Sequence, residues 1–135
     1  MTVHVVNIED DRSLRDILRF AFQAVDPRIN LHQFGNGDEA LPYIEQHARD
    51  IDLFLVDMRL PGTMNGVQIA QKIREQNYAG RVILTSAFAL PDPALLKSLD
   101  LEYFPKPWHI MELAQKLVQQ RITISQPTAR LLVAK

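Results

Sequence analysis

"LFLVDMRLPG", residues 53–62, is the stretch whose reading decides the fold. Leu53, Phe54, Leu55 and Val56 are apolar without alternation, which reads as a strand buried on both faces, as in a parallel sheet covered by helices. The run stops on a carboxylate, Asp57, and then turns at Pro61–Gly62. A carboxylate at the end of a buried strand costs desolvation unless something there uses it. Asp57 is therefore the first candidate functional residue.

Outward from that strand the apolar spacing alternates between two periods. "VHVVNI" (3–8) reads as a strand. Leu14, Ile17, Leu18, Ala21, Phe22 and Val25 then recur every three or four residues, one face of a helix that Pro27 ends. "INLHQF" (29–34) reads as a second strand and "GNGD" as a turn into a helix bearing Leu41, Ile44 and Ala48. Pro42 is expected in or near that helix's first turn, where a missing N–H costs little. After the 53–62 stretch, Val67, Ile69, Ala70 and Ile73 stripe a third helix ending near Asn77–Gly80. "RVILTSA" (81–87) is a fourth strand, and "LPDPALLKSLD" holds a short helix starting after its two prolines. "LEYFP" is a brief fifth strand, ended or kept at an edge by Pro105, and Ile110, Leu113, Ala114, Leu117 and Val118 stripe a last helix. Five strands alternating with five helices predict an α/β fold with a parallel sheet wrapped on both faces. The tail "ITISQPTARLLVAK" lies outside the pattern, so the expected division is a domain over 1–121 and a tail or linker over 122–135.

Composition removes whole classes of function. A chain of 135 residues is the size of one domain with a real core. A net charge of −1 offers no basic footprint for nucleic acid and no polybasic membrane patch. The absence of cysteine excludes disulfides, thiolate chemistry and cysteine–zinc sites. The start "MTVHVVNIEDD" is not a signal peptide, and no apolar run approaches the ~18 residues of a membrane helix. The cytoplasm is the expected location.

In open parallel sheets ligands sit beyond the carboxyl ends of the strands. Strand one delivers Glu9, Asp10 and Asp11 there, strand three Asp57, strand four Thr85 and Ser86, and strand five Lys106 followed by Pro107. Each has a bland alternative: Asp10 or Asp11 as a helix cap, Asp57 as a turn residue, Ser86 as a backbone partner, Lys106–Pro107 as a turn. Their convergence on one edge is the specific signal. Two carboxylates about 4 Å apart repel by roughly 4 kcal/mol at an effective dielectric near 20, which a bound cation relieves. An all-oxygen donor set suits a hard ion such as Mg²⁺. With its charge balanced, Asp57 can act as a carboxylate nucleophile on phosphorus, with Lys106 and Ser86 neutralising and hydrogen-bonding the phosphoryl oxygens.

Other features carry less. His4, His32, His47 and His109 show no metal-ligand spacing. Gly35 and Gly37 mark a turn rather than a dinucleotide fingerprint. Trp108 reads as an anchor for the last helix, with partner surface as its alternative.

"VVNIEDD", "LFLVDMRLPG…NG", "VILTSA" and "YFPKPW" together resemble the receiver domain of bacterial two-component response regulators, from about residue 3 to residue 121. The resemblance implies a flavodoxin-like, doubly wound five-stranded parallel sheet in the order 2-1-3-4-5 with five helices. It implies Asp57 as the phosphoacceptor, taking a phosphoryl group from a histidine kinase or phosphotransfer protein. It implies Glu9, Asp10, Asp57 and the backbone carbonyl of Arg59 as Mg²⁺ ligands, and Lys106, before a cis Pro107, as the phosphate-pairing lysine. Ser86, followed by the small Ala87, takes the switch hydroxyl position, and Tyr103 the switch aromatic position. The partners implied are a downstream effector protein or output domain. A homodimer through the face of helix 4, strand 5 and helix 5 is one assembly the resemblance allows; nucleic acid and membrane are not expected partners.

The loop "LPGTMNG" is one residue longer than the commonest family version, leaving the backbone between Pro61 and Gly66 open. Phe88 stands where a smaller or polar side chain is common, and Pro105 stiffens the segment before Lys106. Arg59 is long enough to reach over a phosphoryl group, with a solvent-exposed loop charge as its alternative. Two other functions stay open. One is the input half of a longer regulator with an output domain, DNA-binding for example. The other is an aspartate-nucleophile phosphohydrolase, against which Arg59 counts, since such enzymes usually carry an aspartate there.

Overall fold

The computed structural model describes residues 2–87 and 90–123, with side chains up to residue 117. Five parallel strands, β1 (Val3–Ile8), β2 (Ile29–Phe34), β3 (Leu53–Asp57), β4 (Arg81–Ser86) and β5 (Leu101–Pro105), pair in the order 2-1-3-4-5. Between and after them run helices α1 (Arg12–Val25), α2 (Gly37–His47), α3 (Gly66–Glu75), α4 (Pro93–Ser98) and α5 (Ile110–Thr123). The fold expected from the alternating periods is the fold present. Chain order reverses between β1 and β3, so the carboxyl ends of these two strands lie side by side at the switch point where ligands bind in such sheets.

Strand side chains alternate between two cores. Leu53, Leu55 and Ile83 face α1 and α5, meeting Leu18, Phe22, Leu113 and Leu117. Phe54, Val56, Val82 and Leu84 face the other way, against Ile44, Ile69 and Ile73 of α2 and α3. All five β3 residues are buried, as an unalternated apolar run requires.

Polar groups tie the edges down. Arg81, 3% exposed, forks onto Glu102 through Nε and Nη2, each 3.0 Å from a carboxylate oxygen, and joins the floor of β4 to the edge strand β5. Arg74 donates to four backbone carbonyls, those of Leu99, Asp100, Tyr78 and Gly80, and pins the carboxyl end of α4 to the α3–β4 turn. Asn7, buried mid-strand, bridges Leu55 O and Gln33.

Several expectations need correction. Ile17 is 50% exposed, because the face that packs is set by Leu18, Ala21 and Phe22, and Ile17 sits on its flank. Pro42 lies in the second turn of α2, leaving the Asp38 carbonyl without its usual helical donor; the capped first turn and the burial of Ala40 and Ile44 hold the helix across it. Ala48 belongs to a one-turn 3₁₀ segment, Ala48–Asp50, rather than to α2. β4 stops at Ser86, one residue short of Ala87. α4 begins on Pro93 rather than after it, since proline at the first helical position lacks only an N–H that has no helical partner anyway. α5 is described to Thr123. The expectations for Phe88, for the Val118 side chain and for residues 124–135 lie outside the described residues.

Candidate functional site

β1 ends at Ile8 and delivers three acidic residues that the structure separates by role. Glu9 is 1% exposed. Its N–H donates to Phe34 O, and its carbonyl accepts Arg15 Nη1 at 2.6 Å, which fixes the turn out of the strand. Asp11 caps α1, its side chain accepting the Leu14 N–H at 3.2 Å. Asp10 stays exposed. The ambiguity over which acid caps the helix is thus resolved, and Glu9 and Asp10 are left facing the cleft.

Asp57 closes β3 with 6% exposure. Its Oδ1 accepts the Arg59 N–H at 3.0 Å, and its Oδ2 accepts Lys106 Nζ at 2.9 Å. Lys106 also donates to Glu9 Oε1 at 2.7 Å, so one ammonium bridges the two buried carboxylates. Burial pushes the Glu9 carboxyl up to about 7 against the pull of Lys106 and the Asp11 N–H, and the charge of Asp57 pushes the same way. Burial lowers Lys106, but its hydrogen bonds to Glu9 and Asp57 outweigh this and hold it above the ordinary lysine value. The Lys106–Pro107 peptide is cis, as expected.

The loop after Asp57 now has a definite path. Gly62 takes φ +95°, and Thr63 donates through both its N–H and its hydroxyl to Asp38 in the first turn of α2. Asn65 and Gln68 form a reciprocal capping box on α3, both bonds 2.9 Å. Gly66 presses directly on the end of β3: a Cβ there would collide with the Asp57 carbonyl, so only glycine lets α3 start so close. "NG" at 65–66 entered only as part of the motif resembling receiver domains. The roles of Gly66, Asp38 and Arg15 depend on contacts across the fold and left no local pattern.

On β4, Thr85 is the register partner of Asp57 and shares its sheet face. Its Oγ1 is buried without a hydrogen-bond partner among the described residues. Ser86, the next residue, is buried and ends β4. The Ser86 carbonyl accepts both the Tyr103 hydroxyl, at 3.2 Å, and the Lys106 N–H, at 3.0 Å. The candidates from strands four and five are therefore joined through one backbone carbonyl.

The carboxylates open onto a cleft of about 490 Å³, with Asp11, Arg59 and Ala87 at its margin. A larger cleft of about 730 Å³ at the opposite end of the sheet, near Tyr78 and Arg81, has Asp52 as its one acid. Among the described residues, Glu9, Asp10 and Asp57 are the one group of three that brings ligand atoms within 4.8 Å of one another. The donors are all oxygen, and two are buried. That set fits a hard divalent cation, which would offset the repulsion between them. His4, His32 and His47 gather instead around Tyr43, where they line a separate small cavity.

The sequence profile of the family described as "Response regulator receiver domain" matches residues 5–118. The cyclic di-GMP phosphodiesterase response regulator RpfG of Xanthomonas campestris pv. campestris is 33% identical over 72 residues, 53% of this chain and 18% of that protein. The response regulator RppA of Synechocystis is 31% identical over 97 residues, 68% of this chain and 41% of that protein. The chain thus spans well under half the length of the curated relatives it matches. Among solved structures, the receiver domain of a putative LuxO repressor protein from Vibrio parahaemolyticus superposes with TM-score 0.78 at 21% identity, covering 93% of this chain and 94% of that one. The receiver domain of Francisella response regulator 1452 gives 0.77 at 24%, covering 93% and 100%. With 114 consecutive residues matched by the profile, the chain belongs to the response regulator receiver domain family.

Proposed function

We propose that this chain accepts a phosphoryl group on Asp57 and uses it to switch a partner-binding surface. The observation that carries the reading is the Lys106 ammonium bridging Glu9 and Asp57, 2.7 and 2.9 Å away, at the mouth of an acidic cleft. Glu9, Asp10 and Asp57, with the Arg59 carbonyl, would hold Mg²⁺, which when bound balances carboxylate and phosphoryl charge. One Asp57 carboxylate oxygen attacks phosphorus. The bond between phosphorus and the donor's histidine nitrogen breaks, and that nitrogen keeps the electron pair. Asp57 is left as an acyl phosphate. Lys106 pairs with a phosphoryl oxygen, and the Arg59 N–H already holds the carboxylate's other oxygen in orientation.

Ser86 and Tyr103 carry the signal outward. A hydrogen bond from the Ser86 hydroxyl to the phosphoryl group would shift the backbone whose carbonyl holds the Tyr103 hydroxyl. α4, six residues long with none buried, resists such a shift least. The donor is a histidine kinase or phosphotransfer protein, and the receiver of the signal is an effector or output domain. A second reading, favoured by relatives much longer than the matched segment, makes this the input part of a longer regulator with residues 122–135 as linker.

Titration with beryllofluoride, a phosphoryl mimic, followed by ¹⁹F NMR tests the site. Binding that needs both Mg²⁺ and Asp57 is expected, together with no turnover of p-nitrophenyl phosphate. Catalytic turnover would favour a phosphohydrolase, and beryllofluoride binding that survives Asp57→Asn would defeat the assignment.

A further inference from the structure

Trp108 is the chain's one tryptophan, two residues beyond Lys106. Its ring packs against the core between the sheet and the α1–α5 layer. Lys106 Nζ lies 5.4 Å from the ring centroid, inside the range at which the negative face of an indole attracts a cation. The ring's own Nε1 is buried without a hydrogen-bond partner among the described residues, so packing and not its N–H holds the indole in place.

The ammonium therefore has three neighbours of two kinds. Glu9 and Asp57 are also members of the acidic cluster, so each oxygen given to a cation is one fewer for Lys106. The indole face has no such second duty, and its charge distribution does not change with pH or metal. Among the described residues it is the contact of the ammonium that lies outside the acidic cluster.

We propose that Trp108 is a positioning residue whose ring face keeps the Lys106 ammonium beside Asp57 while the carboxylates are engaged elsewhere, ready for an incoming phosphoryl group. The inference rests on the reading of Asp57 as phosphoacceptor. A leucine at 108 would fill apolar space but present no negative face; a phenylalanine would present a weaker one.

The test measures two affinities on the full chain: Mn²⁺ alone by electron paramagnetic resonance, and beryllofluoride with Mg²⁺ by ¹⁹F NMR. Mn²⁺ affinity is expected to stay unchanged in Trp108→Phe and Trp108→Leu. Beryllofluoride affinity is expected to fall about twofold in Trp108→Phe and about fivefold in Trp108→Leu. In a Lys106→Met background the Trp108 substitutions should cause no further loss. Trp108→Phe keeps an aromatic ring in the core and carries the comparison if Trp108→Leu does not fold. Wild-type affinity in both variants, or a loss that persists without Lys106, would overturn the positioning role. Failure of the wild-type protein to bind beryllofluoride would overturn the phosphoacceptor reading beneath it.

Discussion

Replacing Lys106 by methionine keeps the length of the side chain and removes its charge from between two buried carboxylates. At an effective dielectric near 20, charges 2.7 and 2.9 Å apart attract by about 6 kcal/mol each, before desolvation. Glu9 and Asp57, with ligand atoms within 4.8 Å, repel by about 3.5 kcal/mol or more on the same scale. Desolvation consumes most of the gross attraction, and breaking such a pair from one side typically costs about 3–5 kcal/mol. Lys106 is 16% exposed, so the lower end, about 3 kcal/mol at pH 8, is the expectation.

The cost should depend on pH with a definite sign. The folded-state value of Glu9, about 7, lies above its ordinary 4.5, so the folded protein holds the extra proton between those values. The contribution from Glu9 is therefore fully present below pH 4.5 and is lost as pH rises through 7. At pH 6 Glu9 is largely neutral and Lys106→Met forfeits mainly the Asp57 pair; at pH 8 it also removes the ammonium that draws Glu9 down, so Glu9 must either take up a proton or stand opposed to Asp57. Urea unfolding followed by circular dichroism should show the larger loss at pH 8, with MgCl₂ restoring much of it. Equal losses at both pH values, with no recovery in Mg²⁺, would refute the reasoning that Lys106 holds the place of a cation.

Three further outcomes follow from particular contacts. Glu102→Leu should lower stability by about 3–5 kcal/mol in urea unfolding by stranding the buried Arg81 guanidinium, and adding Arg81→Met should recover most of it; additive losses would deny the coupling. Arg59→Ala should speed dephosphorylation several-fold without weakening Mg²⁺ binding, because the metal would use only the backbone carbonyl there; an unchanged or slower decay removes the shielding role. On beryllofluoride addition, hydrogen exchange should change at 85–87 and 99–106, and Ser86→Ala should suppress the change at 99–106 while leaving Mg²⁺ affinity nearly intact. Changes confined to 9–11 and 57–66 would mean that the β4–β5 face is no switch.

The parts of this design that the sequence discloses are those written in local pattern. The unalternated run 53–56 disclosed a doubly covered strand, and the alternation of periods around it disclosed a parallel sheet wrapped on both faces; the strand order came from the resemblance to receiver domains. Asp57, Glu9, Asp10 and Lys106 were legible because a parallel sheet carries every strand's last residue to one edge. What stayed hidden depends on partners far along the chain. Arg81 and Glu102 read as unremarkable members of two strands, yet they meet as a buried fork across 21 residues. Arg74 drew no reading from the sequence, yet it gathers carbonyls from two loops. Gly66 lay in a loop whose path the sequence left open, and the Asp57 carbonyl, which would collide with any Cβ there, is what forbids a side chain. Ile17 fits the helical spacing but lies on the flank of the packed face, a distinction that periodicity alone cannot draw.

The central claim is that Asp57 takes a phosphoryl group. Intact mass after incubation with acetyl phosphate and Mg²⁺, run beside Asp57→Asn and a chelated sample, tests it most directly. A single phosphoryl adduct is expected on the wild-type chain and in neither control. An adduct that persists in Asp57→Asn, or a wild-type chain that neither gains one nor binds beryllofluoride, would contradict it.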